Sequence, residues 1–93
     1  MQNSTALGGM NLIQRQIHEY VVTNFLFGGT ATTFTDDTPL VEDAILDETG
    51  VLELVLFIEE TYGAQVNEAD VTPENFGSVN AITSYIYRLL ANS

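Results

Sequence analysis

Cysteine is absent from this 93-residue chain, which excludes both a disulfide framework and a thiolate metal site. Basic residues are almost as scarce. Arg15 and Arg88 stand against thirteen Asp and Glu, for a formal net charge of −11. So acidic a surface repels phosphate backbones and anionic lipid headgroups, so neither nucleic-acid binding nor membrane association is expected. No apolar run approaches the roughly 18 residues of a membrane span, and membrane insertion is not expected. Met1 to Met10 has no basic residue and no long apolar run, so a secretory signal is not expected either, and the cytoplasm is the expected compartment. His18 is the only imidazole. On the polar face of a helix, with no metal-ligating or catalytic companion, it reads as solvated. Despite the many acids, the alternating Asp positions and closing Glu of a calcium-binding helix–loop–helix are missing. The acidity itself has two readings: attraction of a basic protein partner, or simple solubility.

The residues present organise into one domain, with a core sufficient for a small helical fold. Met1 to Met10 is polar and contains Gly8-Gly9, so it reads as a disordered tail, with the folded domain at 11–93. Asn11 is a candidate cap for a helix over Leu12 to Phe25. Ile13, Ile17, Tyr20, Val21 and Phe25 share its inner face, and Gln14, Arg15, His18 and Glu19 its outer one. Gly28-Gly29 stops it. A long aperiodic connection then runs to Asp47. In it Pro39 sets a turn and Leu40 inserts into the core, while the acids at 36, 37, 42 and 43 face water.

The central stretch runs from Ile45 to Gly63 and has a marked start and stop. Asp47 and Thr49 are both N-cap types, and Gly63 suits the left-handed residue that ends a helix. Val51, Leu54, Val55, Ile58 and Tyr62 form one stripe, and Leu52, Leu56 and Phe57 are expected to widen it. Glu53, Glu59 and Glu60 are expected to be wet. In the following loop Val66 alone reads as buried. Thr72-Pro73 starts a helix of about one turn before Gly77. Ser78 caps a last helix, Val79 to Leu90, whose inner face is Val79, Ile82, Ile86 and Leu89 with Leu90. No stretch reads as a strand, and the fold class is all-α, a small helical bundle.

Asp47–Glu48 is a carboxylate pair by sequence, but neighbours at a helix entrance do not face one another, and capping accounts for them better than acid–base chemistry. The same stretch resembles the phosphopantetheine carrier family, the acyl and peptidyl carrier proteins. Asp47, Thr49, Gly50, Val51, Leu52, Glu53, Leu54 and Val55 match that family's Leu-Asp-Ser-Thr-Gly-Val-Leu-Glu-Leu-Val position by position. The resemblance continues through Glu59-Glu60-Thr61-Tyr62-Gly63 and Val71 to Val79, covering roughly Leu12 to Leu90. It implies a four-helix carrier bundle with a long first loop and a very short third helix. It also implies a non-enzymatic, monomeric protein that presents acyl or aminoacyl groups to fatty-acid, polyketide or peptide-synthesis enzymes. Glu48 stands where the family has the serine that accepts phosphopantetheine, with Asp47 and Thr49 beside it. The arm is therefore not expected covalently on this sequence. Glu48 is either the natural residue of a member working without the arm or a substitution in a serine-bearing parent. The resemblance further implies docking through Glu53, Glu59, Glu60, Val51 and Leu52 onto basic surfaces of transferases, synthases and ligases. The alternative is a non-covalent interaction module derived from a carrier.

Overall fold

The computed structural model describes residues 5–26 and 34–92. Within them the chain forms four α-helices and no strand: α1 Thr5–Phe25, α2 Glu48–Tyr62, α3 Pro73–Phe76 and α4 Val79–Ala91, with a 3-10 turn at Glu68–Asp70 before α3. The all-helical bundle with a very short third helix is the one expected.

Three of the four helix starts follow from side-chain caps read in the sequence. Asp47 Oδ1 accepts the Gly50 N–H at 2.8 Å, Thr72 Oγ1 that of Asn75 at 3.3 Å, and Ser78 Oγ that of Ala81 at 3.1 Å. At the end of α2, Gly63 takes φ +65° and its N–H returns to the Glu59 carbonyl. The start of α1 differs from expectation. The helix reaches back to Thr5, so Asn11 lies inside it and caps nothing. Two glycines cost roughly 1 kcal/mol each, but extending an existing helix through Ala6, Leu7 and Met10 avoids a new nucleus. Residues 1–4 of the expected tail, and the expected stop at Gly28-Gly29, lie outside the described residues.

The core draws on all four helices. Ile13, Ile17 and Val21 of α1 meet Leu54 and Ile58 of α2, Phe76 of α3, and Val79, Ile82 and Ile86 of α4. Each such side chain is worth about 1.5–3 kcal/mol when fully removed from water. Tyr85 and Thr83 are buried as well. Each finds a polar partner: Thr83 Oγ1 donates to the Val79 carbonyl at 2.8 Å, and the Tyr85 hydroxyl donates to Asp70 Oδ2 at 2.9 Å.

From Phe34 onward the first connection is tied by backbone hydrogen bonds. Leu40 is fully buried, its N–H donates to the Gly77 carbonyl, and its own carbonyl accepts from Ile45 and Leu46. Ala44 takes φ +61° to make that return possible. Val41, by contrast, faces solvent. Gly77 sits where a Cβ would collide with the Pro73 carbonyl oxygen, so only glycine fits the tight passage from α3 to α4.

His18 and Asp36 depart from the solvated reading. His18 Nδ1 lies 2.7 Å from Asp36 Oδ1, and the Gln14 amide donates to Asp36 Oδ2 and to Asn80 Oδ1. Asn80 Nδ2 donates in turn to Asp37 Oδ1 at 2.7 Å. The partners are thus far apart in sequence, and one polar network ties α1, the first connection and α4 together.

Candidate functional site

Asp47, the cap of α2, places Glu48 at the first helical position and Thr49 at the second, both exposed. The Glu48 carboxylate therefore sits at the positive end of the helix dipole, a favourable place for an anion, and reaches into water. Gly50 follows, buried. A Cβ built there would stand 3.0 Å from Phe25 Cε1 and 3.2 Å from Leu46 Cδ2, so glycine lets α1 close onto the start of α2. Leu46, fully buried just before the cap, is a core residue that the sequence pattern did not single out. An apolar residue immediately before an N-cap, paired with another four positions into the helix (here Val51), is the signal that could have found it.

Along α2 the exposed residues Glu48, Leu52, Leu56 and Glu60 repeat every four positions and form one outward stripe, with Glu53 alongside. Leu52 is 62% exposed and Leu56 57%, so neither belongs to the core arc expected of them. The arc needs only Leu54 and Ile58, with Val51, Val55 and Phe57 half-buried. Phe57 stacks on Tyr20 with ring centroids 4.1 Å apart. Burial there, and then the charge of Glu53, push the Tyr20 hydroxyl above its usual pKa. Two of the residues expected to dock also make contacts within the fold. The Glu59 carboxylate accepts the Val66 N–H at 2.9 Å and fixes the second loop, and Val51 is half-buried. Leu56 is exposed on the outer face.

Beside the start of α2 lies an open groove of about 580 Å³ between the first connection, α2, α3 and α4. Its apolar lining includes Val41, Val51, Val71, Phe76 and Ala81, with Asp37 and Glu42 at its rim. Neither arginine reaches it. Arg88 donates to Asn75 Oδ1, and Arg15 lies by His18 on the far side of α1. Among the described residues, no cluster of His, Asp and Glu could hold a metal ion, and no helix is long and apolar enough to cross a membrane.

No protein-family model matches the chain. It is similar to curated proteins named acyl carrier protein from two phytoplasmas. It is 45% identical over 56 residues to the one from Onion yellows phytoplasma, covering 60% of this chain and 71% of that protein. To the one from Aster yellows witches'-broom phytoplasma it is 44% identical, covering 59% and 70%. A probable acyl carrier protein, PigG, from a Serratia species is 25% identical over 81 residues, 87% of this chain and 92% of that one. Among solved structures, a chain in a crystal structure described as an FAD-dependent dehydrogenase superposes with a TM-score of 0.69 at 30% identity. That match covers 76% of this chain and 99% of that one. Acyl carrier proteins bear a phosphopantetheine arm and are themselves non-catalytic. A capped second helix, a four-residue third helix and 45% identity over more than two thirds of a curated relative lead to one conclusion: the chain belongs to the acyl carrier protein family.

Proposed function

We propose that the chain is an acyl carrier that takes the carrier's place among biosynthetic enzymes but, with Glu48 at the attachment position, is not itself modified. The observation that carries this reading is Glu48 at the exposed first position of α2, directly after the capping Asp47. Attachment of the arm needs a hydroxyl oxygen to form a phosphodiester, and a carboxylate does not fit that requirement. Thr49 has a hydroxyl, but one residue along a helix is a turn of about 100° and a rise of about 1.5 Å, which points it elsewhere. Glu48 also puts a negative charge near where the arm's phosphodiester would lie, and so imitates the charge of a modified carrier without its length or thiol.

The partners on this reading are carrier-dependent transferases, synthases and ligases with basic surfaces, met by a monomer in the cytoplasm. Glu53 and Glu60 supply the attraction and Leu52 and Leu56 the apolar contact. The outward stripe on α2 also favours a second reading, a non-covalent interaction module that retains docking without cargo. Restoring the hydroxyl separates the two. Glu48→Ser, armed by a promiscuous phosphopantetheinyl transferase, should accept an acyl group from an acyl carrier synthase or ligase. An armed variant that no carrier-dependent enzyme charges would favour the module.

A further inference from the structure

We infer that the His18–Asp36 pair hydrolyses small activated acyl esters, with the outer imidazole nitrogen as nucleophile. This activity goes beyond the carrier reading and does not depend on the residue at 48. His18 Nδ1 lies 2.7 Å from Asp36 Oδ1. An ionised carboxylate only accepts, so the shared proton sits on Nδ1 and the ring's lone pair on Nε2. Nε2 has no partner among the described residues, and the side chain is 38% exposed, so a solute can reach it. The chain contains neither cysteine nor lysine. His18 is therefore the one side chain that offers an uncharged nitrogen nucleophile near neutral pH.

The pair is braced from three elements. The Gln14 amide donates to Asp36 Oδ2 at 2.9 Å and to Asn80 Oδ1 at 2.6 Å, and the Asn80 N–H donates to the Asp36 carbonyl. The buried Phe34 ring backs the imidazole, with centroids 5.1 Å apart. An open pocket of about 390 Å³ borders the pair, lined by Asn11, Gln14, Arg15, His18 and Asp36. That space admits a short acyl group. Arg15 brings positive charge to the place where an oxyanion would develop. In the first step Nε2 attacks the ester carbonyl, the C–O bond to the leaving group breaks, and an aryloxide departs with the electron pair. Asp36 stabilises the acyl-imidazolium that forms. Water then attacks the acyl carbon, the C–N bond breaks, and the imidazole is regenerated. One water is consumed, one acid and one phenol are released, and nothing is oxidised or reduced.

Hydrolysis of p-nitrophenyl acetate by the full chain, at about pH 8 and so above the usual imidazole pKa, tests the assignment. Release of p-nitrophenolate per imidazole should exceed that by an equal concentration of free imidazole about tenfold or more. It should continue past one equivalent, whereas acylation of the terminal amine stops there. His18→Gln should fall to the solvent background. Asp36 is a positioning residue, and its own test is the tautomer, read from the ring nitrogen shifts of His18. The unaltered chain should carry the proton on Nδ1. In Asp36→Asn the amide oxygen stays with the Gln14 donor, so the amide nitrogen faces Nδ1 and drives the proton to Nε2. The rate should then fall about tenfold or more. The comparison with imidazole and the tautomer of the unaltered chain need no variant to fold. A rate no greater than that of free imidazole would overturn the inference. So would an Nε2–H tautomer in the unaltered chain, or turnover retained by a folded His18→Gln protein.

Discussion

Single residues set the geometry of the site through what they lack as much as what they carry. Glu48 lacks a hydroxyl, Gly50 lacks the Cβ that would press on Phe25, and Gly77 lacks the Cβ that would strike the Pro73 carbonyl. Gly77 is the stricter case, because its obstacle is backbone and cannot rotate away. Its carbonyl also receives the Leu40 N–H, so any shift there disturbs the first connection. Gly77→Ala should destabilise the protein by about 1–3 kcal/mol, measured by chemical denaturation. A change below about 0.5 kcal/mol, the usual range for surface positions, would show that the turn from α3 to α4 is looser than described. The sequence offered no sign of this constraint beyond a glycine between two helix caps. The obstacle comes from the path of α3 itself, only four residues long, and that path is fixed by packing.

Among the elements, α2 separates core from surface most sharply. Leu54 is fully buried, while Leu52, two positions away and chemically identical, is 62% exposed. Leu54→Ala should cost about 2–5 kcal/mol and Leu52→Ala less than about 0.5 kcal/mol. Similar losses at both would mean that α2 is rotated about its axis. The apolar period of this helix was legible in the sequence, as were its cap and its left-handed stop. Which leucines lay outside was not, because nearly every non-acidic position between 51 and 58 is apolar and the period alone does not choose an edge. The polar ties were hidden for another reason: His18 with Asp36 and Tyr85 with Asp70 join residues that only the fold brings together. The second tie has a consequence for pH. Burial, and then the bond to Asp70, push the Tyr85 hydroxyl from 10.0 up to about 12. The neutral phenol is thus favoured in the fold, its contribution is complete below pH 10, and it is lost as pH rises from 10 towards 12. The chain has no lysine to titrate in that window. Stability should therefore fall between pH 10 and 12, and Tyr85→Phe should make the fall shallower. An unchanged slope in the variant would remove Tyr85 from this account.

For the whole molecule, the dominant property is the negative field. With two arginines, both away from α2, nothing nearby offsets Glu48, Glu53 and Glu60. Glu53→Lys with Glu60→Lys should slow association with a basic carrier-dependent enzyme and flatten its salt dependence, by stopped-flow fluorescence. Association unaffected by both reversals would reduce the acidity to a solubility feature. The central claim, that this carrier stands unarmed because of one side chain, is tested most directly by intact mass. The unaltered chain and Glu48→Ser are incubated side by side with coenzyme A and a promiscuous phosphopantetheinyl transferase. The unaltered chain should keep its mass and the serine variant should gain one phosphopantetheine. A mass gain on the unaltered chain, at Thr49 or elsewhere, would contradict the account, as would a folded Glu48→Ser protein that stays unmodified.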